Sequence, residues 1–252
     1  MKAVILAGGR GTRLLEETQF KPKPLVEACG KPLIWHIMQN FARFGITEFY
    51  VLSGYNGHQI REYFSNFWIH QSDITFDLMA PEQLVLKNRG LPWKVTVLDT
   101  GIDSKTGDRI AYVRELIDED FILTYGDGVA DVNITELLIS HEKSKNFATL
   151  TAVQPPARFG ALELLDSKVK NFREKPSGDG AWVNGGFFVI NRKIFNYLND
   201  SDLSFEVDVL PKIAKLNRLG AYKHNGFWQP VDTIRDLQRL EEAIRAGKLP
   251  WC

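Results

Sequence analysis

The run Val4-Ile5-Leu6 is stopped by Gly8-Gly9, and Gly8-Gly9-Arg10-Gly11-Thr12-Arg13-Leu14 follows without a spacer. A short apolar run ended by glycine is the pattern of a strand buried on both faces, as in a parallel sheet. A glycine loop at the carboxyl end of such a strand is where open α/β sheets gather ligands. Glycines let backbone N–H groups converge on phosphate oxygens, and Arg10 and Arg13 add charge-assisted donors. Spacing excludes two familiar phosphate loops. Counting GxGxxG from Gly9 puts Leu14 where the third glycine belongs, and Gly30-Lys31 runs into Pro32 where a P-loop needs Ser or Thr. Taken alone, the loop reads more readily as a tight turn with solvated arginines.

The next segment changes that balance. Lys21-Pro22-Lys23-Pro24 presents two lysines on a backbone stiffened by proline, which lowers the entropy cost of holding a cation in place. The whole chain is neutral, with 31 basic and 31 acidic residues. A neutral chain carries no electrostatic footprint for nucleic acid or an acidic membrane, so any anion is captured locally. Its 2 cysteines, Cys29 and Cys252, and its scattered histidines supply neither a disulfide framework nor zinc-ligand spacing. The apolar run at the N-terminus is too short for a signal-peptide core, and no stretch approaches the roughly 20 apolar residues of a membrane span. The expectation is a cytoplasmic protein.

Alternation sets the fold class. Leu33, Ile34, Ile37, Met38, Phe41 and Phe44 recur at helical spacing after Pro32, and a strand over 48–52 and a helix over 58–67 follow. Strands are expected over 74–79, 95–98, 121–124 and 148–153, with helices over 109–117 and 134–141. This is the β-loop-α pattern of parallel strands covered by helices. After Gln154-Pro155-Pro156 the texture changes to strand-like pieces over 161–165, 169–174 and 181–190, which read as an antiparallel insert. Helices over 205–216 and 234–246 close the chain. At 252 residues this is expected to be one domain.

Some polar residues stand out. Asp127 closes an apolar strand between Gly126 and Gly128, as a turn aspartate or as a ligand in a binding crevice. Asp232 precedes Thr233 at a helix start, where an N-cap is the simpler reading. Glu174-Lys175-Pro176 ends a strand, a usual place for a solvated turn.

Together the motifs resemble the sugar-1-phosphate nucleotidylyltransferases. The likeness rests on Gly8-Gly9-x-Gly11-Thr12-Arg13-Leu14, Lys21-Pro22-Lys23-Pro24-Leu25-Val26-Glu27, residues 124–131, Phe159-Gly160-Ala161-Leu162, residues 172–176, Asn184-Gly185-Gly186-Phe187-Phe188 and residues 226–233. Val97-Leu98-Asp99-Thr100-Gly101, Gly178-Asp179-Gly180-Ala181 and residues 226–233 and 247–251 are most similar to its glucose-1-phosphate cytidylyltransferase branch. Asp108, where the branch has glycine, and residues 205–211, nearer the wider family pattern, are departures, so UTP or dTTP stays open as the triphosphate.

The resemblance implies a Rossmann-like, mostly parallel α/β sheet flanked by helices, with a smaller antiparallel β insert on the sugar side. It implies a nucleotide-binding half over 1–153 and a sugar-phosphate half with C-terminal helices over 154–252. The implied substrates are CTP and glucose 1-phosphate, with no nucleic acid or membrane partner and a homo-oligomeric assembly. Leu6, Ala7, Gly8, Gly9, Gly11, Thr12, Arg13, Lys23, Thr100 and Gly126 would serve the nucleotide. Tyr125, Gly160, Glu174, Lys175, Asn184 and Gly185 would serve the sugar phosphate. Asp127 and Asp232 would hold Mg²⁺, which suits a hard ion that takes one or two carboxylates plus phosphate oxygens. Arg13, Lys23 and Asp127 carry the catalytic expectation.

Overall fold

The computed structural model describes residues 1–11, 21–79, 82–87, 90–155, 161–165, 168–173 and 181–252. The N-terminal apolar run forms β1 (Ala3–Ala7), buried throughout. A 3₁₀ turn at Lys23–Leu25 leads into a small hairpin, β2 (Glu27–Ala28) and β3 (Lys31–Pro32). Helix α1 (Leu33–Ala42) starts after Pro32, which is itself extended, and buries Leu33, Ile34, Ile37, Met38 and Phe41. Then come β4 (Glu48–Ser53), α2 (Gly57–Ser65), α3 (Phe67–Gln71) and a hairpin of β5 (Asp73–Asp77) and β6 (Glu82–Lys87). Strand β7 (Lys94–Asp99) and helix α4 (Thr106–Ala111) follow, then β8 (Phe121–Tyr125) and the short β9 (Gly128–Ala130).

The second half supplies α5 (Ile134–Ser144), capped by the Asn133 side chain, and β10 (Ala148–Val153). Strands β11 (Ala161–Leu165) and β12 (Lys168–Arg173) pair only with each other among the described residues. Strand β13 (Val183–Ile190), helix α6 (Leu210–Lys215), β14 (Leu219–Lys223), β15 (Trp228–Pro230) and helix α7 (Ile234–Arg245) complete the chain.

Among the described residues the central sheet has seven strands in the order β14-β10-β13-β8-β1-β4-β7. Neighbours β8, β1, β4 and β7 run parallel, as do β10 and β14, while β13 lies antiparallel to both β8 and β10. The chain winds outward from β1 to β4 and β7, then returns to the other side of β1 at β8. The crevice at the carboxyl ends of β1 and β8 is therefore a topological switch point. Phe41, Phe49 and Phe187 are at most 1% exposed and interlock across one face, with ring centroids 6.4 and 5.9 Å from Phe41. Burying each such ring contributes about 1.5–3 kcal/mol, which anchors α1 to the sheet beneath the crevice.

Several expectations need correction. Residues 181–190, read with the antiparallel insert, give β13 at the centre of the main sheet; its apolar residues are buried from Phe187 onward. The helix expected over 109–117 begins earlier and stops at Ala111. The stretch between the strands expected over 74–79 and 95–98 holds β6. Residues 205–209 form a π-turn ahead of α6, in which Leu210 N–H reaches back five residues to Phe205 O. Pro211 has no N–H to give Val207, which makes the wider turn tolerable there. Among the described residues no helix is long and apolar enough to cross a membrane.

Candidate active site

A cavity of about 570 Å³ opens at the switch point. The glycine loop from Leu6 to Gly11 lines it, together with Ile102, Ser104, Lys105, Thr106 and Arg109 from the segment around α4. Lys23, Asp127 and Asp232 also line it, as do Tyr125, Ser204 and Glu206.

Lys23 Nζ donates to Asp127 Oδ2 at 2.8 Å and to Asp232 Oδ1 at 2.7 Å. Each of the three arrives by a separate device. Lys23 is only 8% exposed, held in the 3₁₀ turn by Leu25 N–H to Pro22 O at 2.8 Å. Asp127 follows β8, and Gly126 N–H anchors that turn to Leu6 O at 2.9 Å. A Cβ on Gly126 would come within 2.8 Å of Pro24 Cγ, so the close approach of the two turns requires glycine. Asp232 arrives on a ribbon in which β15 pairs antiparallel with β9, Pro230 opposite Gly128. That register sets Val231 against Asp127, with Val231 N–H on Asp127 O at 3.0 Å.

Asp232 is not the N-cap of α7. Thr233 takes that position in a capping box with Asp236, and Asp232 N–H also donates to Asp236 Oδ2 at 3.3 Å. Burial draws the Lys23 ammonium pKa down, but Asp127 and Asp232 outweigh it and the net shift is upward. The other lysine of the Lys-Pro pair, Lys21, turns away to Glu27 Oε1 at 2.8 Å.

The glycine loop is clamped from behind by Arg109, a residue read from sequence only as part of a helix. Its Nη2 donates to Gly8 O at 3.2 Å and to Ile102 O at 3.3 Å, and its Nη1 to Ser53 O at 3.1 Å and Thr100 Oγ1 at 2.5 Å. The guanidinium fills the space a Gly8 Cβ would need, whereas nothing crowds Gly9. Burial lowers the Arg109 pKa, though an arginine stays charged at any working pH. Thr100 is buried behind the loop, donating to Ser53 O at 2.7 Å, and does not line the cavity. Arg10 reaches across to Asp103 Oδ1 at 2.8 Å.

Tyr125 O–H donates to Glu206 Oε1 at 2.6 Å. Its ring lies against Gly186, whose φ of +82° and lack of side chain admit it. Asn184 is exposed and accepts from Gly186 N–H at 2.9 Å, while Gly185 O accepts from Trp228 Nε1 at 2.8 Å. Neither Asn184 nor Gly185 lines the cavity, whereas Glu206, absent from the expected set, does. Thr12, Arg13, Gly160, Glu174 and Lys175 lie outside the described residues.

Comparison with known proteins gives this geometry a family. The chain is 48% identical over 253 residues to glucose-1-phosphate cytidylyltransferase of Salmonella typhimurium, covering 100% of this chain and 98% of that one. It is 43% identical over 256 residues to the Bacillus subtilis protein named "Probable glucose-1-phosphate cytidylyltransferase", covering 100% and 99%. Among solved structures, HddC from Yersinia pseudotuberculosis superposes with a TM-score of 0.69 at 23% identity, covering 96% of this chain and 99% of that one. A UDP-glucose pyrophosphorylase complexed with UDP-glucose gives 0.68 at 18% identity, covering 98% of each chain. The last two share the fold. With a nucleotidyl transferase model matching residues 2–247 as well, the chain belongs to the nucleotidyl transferase family.

Proposed function

We propose that this chain transfers the cytidylyl group of CTP to α-D-glucose 1-phosphate, giving CDP-glucose and pyrophosphate. The observation that carries the reading is the meeting of Lys23, Asp127 and Asp232 beside a glycine loop at the switch point. The choice of CTP and glucose 1-phosphate is supported by the full-length likeness to the Salmonella enzyme.

A phosphate oxygen of glucose 1-phosphate attacks the α-phosphorus of CTP as the bond to the pyrophosphate oxygen breaks opposite it. The attacking oxygen is already ionised near neutral pH, so no general base is needed and catalysis is positioning plus neutralisation. Leu6, Ala7, Gly8, Gly9, Gly11 and Gly126, with Thr12, Arg13 and Lys23, serve the triphosphate. Thr100 supports that wall from behind. Tyr125, Gly160, Glu174, Lys175, Asn184 and Gly185 serve the sugar phosphate, Lys175 as its cation.

The two carboxylates suit a divalent cation, because they already converge on a single ammonium within hydrogen-bond distance of both. Asp127 and Asp232 would hold Mg²⁺, which when bound supplies positive charge between the two anionic substrates. With the carboxylates so occupied, Lys23 would serve the phosphates. A homo-oligomer belongs to the same reading, and the exposed Phe76, Leu78, Met79, Leu84 and Leu86 of the β5–β6 hairpin are apolar surface a second copy could cover.

Pyrophosphate release, measured with four nucleoside triphosphates against several sugar 1-phosphates, tests the substrates. CTP with glucose 1-phosphate is expected to exceed every other pair by at least tenfold in kcat/KM. Asp127→Asn and Asp232→Asn are each expected to cut turnover by about a hundredfold while the proteins stay folded, on the scale of losing one transition-state electrostatic contact. Near-normal rates in both at saturating Mg²⁺ would remove the metal assignment, and a different best pair would replace the substrates.

A further inference from the structure

Glu206 is a carboxylate in the cavity wall that the reaction as written does not use. It stands in the first turn after Ser204, in the π-turn Phe205–Val209. Three hydroxyls from three separate segments hold it. Tyr125 O–H donates to Oε1 at 2.6 Å, and Thr106 Oγ1 and Ser204 Oγ donate to Oε2 at 2.5 and 3.1 Å. Among the described residues it makes no ion pair, so its charge is met by oriented hydroxyl dipoles.

Two of the hydroxyls have a second link. Thr106 Oγ1 accepts from Phe205 N–H at 2.9 Å, and Ser204 Oγ accepts from Val207 N–H at 3.2 Å. Thr106 is the first residue of α4, the helix that carries Arg109 one turn later. Tyr125 is the last residue of β8, with its ring against Gly186 and 6.1 Å from the Phe188 ring in an edge contact.

A phenol free to rotate about its ring axis fixes nothing by itself. A phenol bonded to a charged acceptor fixes both the ring and the acceptor. One carboxylate therefore ties the Tyr125 face of the cavity to the helix that clamps the glycine loop.

We propose that Glu206 is a positioning residue for the sugar-phosphate half of the cavity, holding the Tyr125 ring against Gly186 and joining it to α4. This rests on the reading that Tyr125 faces the sugar phosphate. Glu206 acts through Tyr125, so its effect belongs to binding of one substrate and not to the chemical step.

The test is a double-mutant cycle with Glu206→Gln and Tyr125→Phe, with KM for each substrate and kcat measured separately. Each single variant is expected to raise KM for glucose 1-phosphate roughly tenfold, the scale of a lost charged hydrogen bond, with KM for CTP and kcat within about threefold of wild type. The double variant is expected to be no worse than the worse single one, because both act on the same bond, one by removing its donor and the other by neutralising its acceptor. Thr106→Val removes a second hydroxyl from the same carboxylate and takes the place of Glu206→Gln should that protein fail to fold. Losses that add fully, or an equal loss for CTP, would overturn the proposal. Tyr125→Phe raising KM for glucose 1-phosphate while Glu206→Gln does not would overturn it and leave the sugar-side reading standing. Tyr125→Phe acting on CTP alone would overturn both.

Discussion

Lys23→Met keeps an unbranched stem in the buried turn and removes the ammonium that two aspartates share. The Lys23 side chain is 10% exposed, and those of Asp127 and Asp232 are 40% and 37% exposed. Removing one partner of a fully buried pair costs about 3–5 kcal/mol, and of an exposed pair about 0–1 kcal/mol. Two carboxylates with more than a third of their surface in water fall between, at about 1–2 kcal/mol. For a chain of 252 residues that lowers Tm by about 2–8 °C. The variant leaves two carboxylates facing each other, so it has more to gain from a divalent cation than wild type, whose ammonium already lies between them. Mg²⁺ without nucleotide, at a hundred times its dissociation constant, is expected to stabilise the variant by about 2.7 kcal/mol. Wild type, which must first displace Lys23, is expected to gain clearly less. The upward net shift of the Lys23 pKa gives the ion pair's own pH dependence. The lysine's contribution is complete at neutral pH and is lost as pH rises through and above the ordinary lysine range. Calorimetric scans with and without Mg²⁺ decide the matter. An equal Mg²⁺ response in both proteins, or none in the variant, would refute the reasoning.

Thr233→Ala removes the N-cap of α7 and is expected to cost about 1 kcal/mol, seen in urea unfolding. Because the same box holds Asp232 N–H, it should also raise the Mg²⁺ concentration needed for half-maximal rate; an unchanged Mg²⁺ dependence would separate the cap from the site. His36 is buried, with Nε2 at 3.1 Å from Ala28 O and Nδ1 accepting from Trp251 Nε1 at 3.3 Å, so a second proton would set N–H against N–H. Burial lowers its pKa, and that of buried His141, below the ordinary histidine value. The unfolded chain then takes up protons that the folded chain refuses, and stability falls as pH drops from 7 toward 5, by up to about 1.4 kcal/mol per pH unit for each such group. Unfolding at pH 7.5 and 5.5 should show the loss, and His36→Gln should reduce it; a flat profile would contradict the assignment.

Strands β1, β8 and β10 were legible because a strand covered on both faces writes its burial as an unbroken apolar run. Asp127 was legible for the same reason, as the polar residue that ends such a run. What joins it to Asp232 was not. The ribbon of β9 and β15 is three residues on each side, too short for any periodicity, and its pairing spans a large part of the chain. Arg109 escaped notice because its partners are mostly main-chain carbonyls, which no side-chain pattern announces. Glu206 sits in a π-turn inside a segment that reads as plain helix, and its hydroxyl partners come from β8, α4 and Ser204. Strand β13 was assigned to the insert because Ser177-Gly178-Asp179-Gly180 sets it off from what precedes it, and its first residues, Val183 and Asn184, pair with β10 while the register with β8 begins at Phe187.

The ribbon has a consequence during synthesis. The second carboxylate is delivered by β15, far along the chain from the first, and the pairing of β15 with β9 sets its place beside Asp127. A nascent chain halted before residue 228 can fold the glycine loop, Arg109 and Asp127 into place as the N-terminal half emerges. It still lacks half of the acidic pair. Halted before residue 219, it also leaves β10 as an uncovered edge, because β14 is that strand's outer neighbour. Unfinished copies are thus exposed to edge-to-edge association and are silent toward substrate until their last strands dock.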